Sequence, residues 1–450
     1  EANAQVSTGE HQEGQSKTAP TAQPTTAAPT AAAPTAAAPT AAAPTAEPTT
    51  AAPTTAAPTT AAPTAAAPTT PSPDDEEKSS AGEPSEKKKK KKKKNAFYRY
   101  VESIFGYPDS PHEPRFIVYP VVAYAPETSW EFGLSGLYVY YARDNPKNRL
   151  SEINAFAFIT LEAQYGAVTE HAIYTDKDQW FFLGKERFQN FPLFYYGIGP
   201  GTPKDYQAQV DEVSLLLRER VLYKLIPSLY IGAEFSLDYL TKVKFNWAEG
   251  VEPNLPRGAE GSLNIGLGAG IVYDSRHNVL NTRDGLFSEL AVLHSNPAWG
   301  SDYAFTTVQS DTRFFYPINA RDTLAAQLYG NFTFGDVPFN ELATLGGESL
   351  LRGYYLGRFR DRNFIGTQIE YRFLPFPFKN RFARRFGAAL FAATGAVFPE
   401  KSLPKFSDFV VAGGLGLRFL LFPDKDIYTR GDLAFTKEGT AFYLFIGEAF

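Results

Sequence analysis

Trp130-Glu131-Phe132-Gly133-Leu134-Ser135-Gly136-Leu137-Tyr138-Val139-Tyr140 is the stretch on which the fold turns. Trp130, Phe132, Leu134, Tyr138 and Tyr140 share one parity, whereas Glu131, Gly133 and Ser135 share the other. Successive side chains of a β-strand point to opposite faces, so a row of large apolar and aromatic groups here runs beside a row of small or polar ones. A helical reading would scatter both sets around the axis. The split returns near the other end of the chain. There Leu415, Leu417 and Phe419 oppose Gly414, Gly416 and Arg418, and Leu433 and Phe435 oppose Arg430 and Asp432. Rows of this kind suit strands with lipid on one side and a wet, charged lumen on the other.

Working outward, about sixteen such runs follow one another, at 116–124, 129–142, 152–164, 166–175, 178–187, 207–221, 224–241, 262–275, 285–297, 303–316, 321–334, 364–373, 384–395, 407–420, 427–436 and 440–450. An even number brings both ends of the sheet to one side, the periplasmic side in bacterial barrels. A soluble sandwich or propeller would need a repeat or two inward faces, and the sequence has neither. The expected fold is all-β: a closed antiparallel transmembrane barrel of about sixteen strands over residues 96–450, with a long internal loop from Gly335 to Asn363.

Composition agrees. No run of about eighteen apolar residues is present, so no transmembrane helix is supported. The mean hydropathy of −0.27 is also too polar for a helical membrane protein. A barrel escapes that test because only alternate residues meet lipid. Aromatic residues make up 15% of the chain although none precedes Phe97, which suits interfacial girdles. The chain has no Cys and no Met and begins at Glu1, the pattern expected of an exported chain after removal of a signal peptide. The absence of Cys excludes disulfides, Cys-based metal sites and a lipid anchor on Cys.

Residues 1–95 read as a disordered periplasmic arm, because their Ala, Pro, Thr, Ser, Glu and Lys can bury no apolar core. From Thr18 to Thr70 the chain cycles through Ala-Ala-Ala-Pro-Thr and close variants, a semi-extended spacer or a glycosylated stalk. At roughly 3.1 Å per residue a stiff segment of that length reaches well over 100 Å. An acidic patch, Asp74–Glu77, precedes eight lysines, Lys87–Lys94, just before the barrel. A basic run at that place is expected to attract anionic head groups. Nothing that reads or stacks bases accompanies it, so nucleic acid is not expected as a partner.

Gly346-Gly347-Glu348-Ser349-Leu350-Leu351-Arg352-Gly353-Tyr354, continuing through Arg358, Arg360, Asp361 and Asn363 to Glu370-Tyr371-Arg372, resembles the diagnostic stretch of the BamA/TamA outer-membrane assembly superfamily. In that family a Val/Leu-Arg-Gly-Phe/Tyr motif sits on an extracellular loop folded into the lumen between the eleventh and twelfth strands, and the strand count puts Leu351, Arg352, Gly353 and Tyr354 there. Weaker likenesses lie in Tyr273–Asn278 with Thr282–Gly285, in Phe194–Gly199, and in the chain end, where Phe442, Leu444, Ile446 and Phe450 resemble a terminal signal on one strand face.

A guanidinium in the lumen needs an acid, since an unpaired buried charge is costly. The resemblance implies that this acid lies in a Phe-x-Asp-x-Gly motif on the thirteenth strand. The matching residues are Phe391, Ala393 and Gly395, so the acid's place is taken by Ala393. Glu370, Asp361 or another inward acid must then pair with Arg352, which either holds a plug or takes part in client insertion. Family members that handle clients also carry periplasmic POTRA modules, and residues 1–95 contain nothing able to fold as one.

No Gly-x-Ser-x-Gly elbow occurs, and Gly133-Leu134-Ser135-Gly136 misses its spacing. His11, His112, His171, His277 and His294 show no metal-ligand spacing, so neither a metal nor another cofactor is expected. The resemblance therefore implies a non-enzymatic factor for outer-membrane protein insertion or translocation. Its partners would be outer-membrane lipid and other outer-membrane or periplasmic proteins. The alternative is a passive pore or structural subunit tethered by the arm.

Overall fold

The computed structural model describes residues 113–125, 129–276, 278–380, 382–423 and 425–450. The expected arm, the Lys87–Lys94 run, His11, His112 and His277 lie outside these residues. The strands are β1 (Arg115–Ala125), β2 (Ser129–Tyr141), β3 (Leu150–Thr160), β4 (Tyr165–Tyr174), β5 (Trp180–Asn190), β6 (Leu193–Tyr195), β7 (Ala208–Ile226), β8 (Leu229–Trp247), β9 (Ser262–Asp274) and β10 (Gly285–Ser295). They continue with β11 (Phe305–Pro317), β12 (Asp322–Gly335), β13 (Ala343–Leu345), β14 (Phe359–Asp361), β15 (Asn363–Phe373), β16 (Phe386–Phe398), β17 (Val410–Phe422), β18 (Ile427–Thr436) and β19 (Gly439–Ile446).

Sixteen of these are long, and each coincides with one of the alternating runs. The other three, β6, β13 and β14, have three residues each and carry too little alternation to be seen in sequence. Antiparallel ladders join each long strand to the next from β1 to β19. Strand β6 extends the β5 edge along β7, whereas β13 and β14 pair with each other inside the β12–β15 connection.

The parity read from the sequence governs burial. Trp130, Phe132 and Leu134 are exposed while Glu131 is buried. The same alternation leaves Leu290, Leu328, Leu390 and Leu444 outside, and puts Glu289, Gln327, Arg372 and Arg418 inside. The inner charges are buried because the sheet curls around an interior that its own loop and last residues fill. Arg149, just before β3, reaches Asp274 at the end of β9, at 3.4 Å.

Among the described residues no ladder joins β1 to β19. Ile117, Leu137 and Leu150 of β1–β3 pack with Leu421, Phe422 and Ile427 of β17 and β18, and Ile446 rests against them. The Arg115 guanidinium lies 6.0 Å from the Phe422 ring centre.

One expectation is corrected at the chain end. The last strand stops at Ile446, and Phe450 does not share the outward face of Phe442 and Leu444. The chain turns inward after Ile446, so Phe450 is buried against Phe315 of β11 with ring centres 6.1 Å apart.

Candidate functional site

The β12–β15 connection enters the barrel from the end that carries the longer loops. Its first turn is held by Phe339, which packs edge-on against Tyr195 and Phe245, and by Asn340, which donates to Asp238 of β8 at 3.0 Å. Within β14, the Arg360 carbonyl accepts from the Gly199 amide at 2.8 Å. Phe194 packs on Tyr355 at 5.4 Å. The Phe194–Gly199 segment singled out in the sequence is therefore the loop's landing surface.

Leu345, Leu350, Leu351, Tyr354 and Phe359 of the loop bury themselves on Tyr329, Phe364, Ala393, Val397 and Ala412 of the wall. This cluster explains Ala393. The position is part of an apolar floor under the loop's leucines, where a carboxylate would have to be desolvated among hydrocarbon groups.

The acids that meet Arg352 come from elsewhere. Its Nη2 lies 2.7 Å from Glu370 Oε2 on β15, and its Nη1 lies 2.5 Å from Asp432 Oδ2 on β18. The guanidinium carbon sits 3.5 Å from the Phe391 ring centre, so the Phe of the thirteenth-strand motif serves as a cation–π base. Of the two acids named from sequence, Glu370 is a partner. Asp361 is not: its carboxylate accepts from the Arg362 amide at 2.7 Å, because β14 holds it at the loop's far edge. Gly395 lies opposite Gly366 on β15 and does not contact Arg352 through a side chain.

The pair is one corner of a larger cluster. Glu370 also accepts from Arg372 Nε at 2.9 Å and Arg418 Nη2 at 3.1 Å. Asp432 accepts from Arg418 Nη1 at 2.6 Å and Arg430 Nη1 at 2.7 Å. Glu448, beyond the last strand, takes Arg418 Nε at 2.9 Å, and the Phe450 carbonyl takes Arg372 Nη2 at 3.1 Å. Four guanidiniums thus share three carboxylates, all of them buried. An isolated buried ion pair often returns less than its desolvation costs. Here both oxygens of Glu370 and Asp432 accept charge-assisted bonds, the arrangement in which such a cluster holds.

The backbone around Arg352 is shaped to deliver it. Leu351 adopts φ 57°, a left-handed conformation that side chains other than Gly enter at a cost of about 1–2 kcal/mol. Gly353 follows at φ 106°, and a Cβ there would lie 2.6 Å from Thr436 Cγ2. Its amide donates to the Tyr443 hydroxyl of β19 at 3.0 Å. Tyr354 donates its hydroxyl to the Val411 carbonyl at 3.2 Å, and Arg358 spans Glu438 at 2.9 Å and the Thr202 carbonyl at 2.8 Å. The motif therefore ties the loop to β17, β18 and β19.

Asp432 and Glu448 were not assigned as partners from sequence. The inward parity of Asp432 and Arg418 was visible there, but which inward acid faces which loop residue depends on the stagger of strands 80 residues apart. The Asp274 turn also proves lumenal: Arg276 grips Asp274 through Nε and Nη2, both at 3.0 Å. The lumen keeps a cavity of about 350 Å3, lined by Glu152, Lys185, Arg220, Glu234 and Glu341 among others and reaching Glu448 and Phe450 at the edge of the Arg352 cluster.

Comparison with known proteins adds a family. Residues 223–421 match the Omp85 superfamily domain. No curated protein matches the chain. Among solved structures, BamA from Haemophilus ducreyi lacking POTRA domains 1-3 is 13% identical, with a TM-score of 0.46 over 74% of this chain and 69% of that one. CdiB from Escherichia coli is 11% identical, with a TM-score of 0.47 over 75% of this chain and 63% of the other. CdiB from Acinetobacter baumannii is 10% identical, with a TM-score of 0.44 over 77% and 66%. The chain thus spans between 63% and 69% of the length of these three structures. In keeping with the BamA/TamA resemblance read from Leu351–Tyr354 and its strand position, that motif lies within the part of the chain that is similar to the Omp85 superfamily domain.

Proposed function

We propose that the protein closes as a sixteen-stranded barrel in the bacterial outer membrane and acts there, without catalysing a reaction, in the insertion or translocation of other proteins. The observation that carries this reading is the Leu351–Tyr354 loop, fastened inside the sheet to β18 through Asp432 and to β19 through Tyr443, the last two strands of the wall. The outer edge of β19 would then be the template for an incoming strand. Pro120 on β1 fits an edge, since it has no N–H to donate.

The Arg352 cluster supports the same reading by stiffening the end of the wall: it fastens the loop to β18, and the Gly353 amide fastens it to β19. Lys87–Lys94 would hold anionic head groups beside the barrel at roughly 1 kcal/mol per Lys. The loop and terminal residues inside the lumen count against the alternative of a passive pore.

A photo-crosslinker placed in cells at Phe116 or Leu444, exposed residues of the first and last strands, is expected to capture outer-membrane proteins before they fold. Depletion of the protein should lower other barrels in the outer-membrane proteome. Absence of adducts together with unchanged barrels would sink the insertion reading and leave a structural subunit.

A further inference from the structure

The outer wall of an outer-membrane barrel should be apolar between its aromatic girdles, and one place on this wall is not. On β4, β5 and β7 the side chains of Ala172, Phe181 and Leu222 face the interior, so by parity His171, Glu186 and Glu219 face outward. Two aromatic pairs bracket them along the strands: Trp180 with Tyr223 on one side, 4.9 Å apart, and Tyr165 with Phe188 on the other, 6.1 Å apart. The three ionisable groups therefore sit within the band meant for acyl chains. Charged groups there are expensive and mark a function by default.

Their geometry is that of a ligand set. His171 Nδ1 lies 3.5 Å from Glu186 Oε1, and Nε2 lies 3.4 Å from Glu219 Oε2. One ligand atom from each of the three residues can be chosen with all of them within 4.8 Å of one another. The wall is notched to allow this. Gly184 stands opposite His171 on one side and Glu219 on the other. A Cβ at Gly184 would fall 2.2 Å from His171 Cε1 and 2.5 Å from Glu219 Oε1. The missing side chain is what lets the imidazole and the carboxylate lean together across β5. Sequence spacing could not show this group, because its members are neighbours across a sheet and lie 15 and 33 residues apart along the chain.

We propose that His171, Glu186 and Glu219 bind one divalent transition-metal ion on the outer wall of the barrel. With the ion bound, an imidazole and two carboxylates would supply two negative charges that lipid cannot solvate, and a dication would cancel both. One nitrogen and two carboxylate donors suit zinc and its neighbours better than calcium, which takes more oxygen ligands. Three protein ligands leave a coordination position open toward the lipid. The ion would join β4, β5 and β7 on the outer face of the wall whose inner face lines the lumenal cavity.

The test uses the full chain without a polyhistidine tag, folded in detergent micelles, stripped with chelator and titrated with Zn(II) by calorimetry and with Co(II) by visible absorption. One equivalent should bind. His171→Ala, Glu186→Gln and Glu219→Gln should each weaken binding by about tenfold or more, and Gly184→Ala should weaken it by refilling the notch. His294→Ala, on the outward face of β10, should change nothing. Heat-modifiable migration on gels reports that each variant folds. Failure of both metals to bind saturably, or equal binding by the wild type and the three ligand variants, overturns the proposal. In the first case protons shared between the side chains are left to balance the cluster.

Discussion

The two halves of the lumen handle charge differently. Along β15–β18 the inner wall meets a loop from far off in the chain, and its guanidiniums and carboxylates are sealed under Arg352 and Glu448. Along β3–β10 the inner charges pair strand to strand within the wall, as Lys185 does with Glu170 at 2.6 Å and Arg220 with Glu234 at 2.8 Å and Glu289 at 2.9 Å, beside a cavity. The same outward-apolar, inward-polar strand pattern therefore builds a loop-capped fastening on one side and a cavity-lining wall on the other. What separates them is whether a loop arrives with the residues that complete the wall's charges.

Removing a charge from each half tests the contrast most strongly. Arg352→Ala takes one of three guanidiniums from each of Glu370 and Asp432, out of reach of water, and releases the loop, so it should cost about 3–5 kcal/mol in unfolding experiments, with residues 346–358 becoming open to protease. Arg220→Ala removes one partner from Glu234 and Glu289 within the wall itself, with no loop to release, and should cost about 2 kcal/mol. Equal losses would break the comparison. Gly353→Val should fall between them, because the new side chain must displace Thr436 and leave the left-handed region.

The joint between the halves should respond to pH. Glu341, at the foot of the loop, is pushed up to about 8 by burial and by the nearby charge of Asp238, against the pull of Arg218 and Arg187. The seated loop therefore keeps a proton that the unseated loop releases above about 4.5. Raising the pH from there toward 8 weakens the seating, by up to about 1.4 kcal/mol per unit. Hydrogen exchange of residues 336–345 should quicken across that window, and Glu341→Gln should flatten the profile. The smallest effect expected is that of Asp361→Asn, within about 0.5 kcal/mol, since Asp361 has no share in the Arg352 cluster.

These experiments bear on what a sequence can reveal. Alternation is a local property, so Trp130–Tyr140 and its fifteen counterparts announce their strands and their faces without knowledge of neighbours. The place of Arg352 on a loop between the eleventh and twelfth long strands follows from counting them. Its acids do not. Glu370 and Asp432 have inward parity in common with several other acids, and only the register of the wall selects them. Ala393 shows the limit from the other side: a missing acid reads as a lost contact until the leucines packed on it are seen. Phe450 escaped because a strand and an inward-turning tail can share the same few residues.

The span of the Arg352–Asp432 contact also sets a schedule. The loop leaves the wall after β12, yet one of its two acids is delivered by β18 and its backbone anchor by Tyr443 on β19. Contacts 80 and 90 residues apart are among the last a chain can make, since the intervening chain must first be laid down in register. The cluster thus acts as a completion signal: a barrel stalled before its final hairpin keeps a loose loop, open to proteases, and only a finished wall retires it.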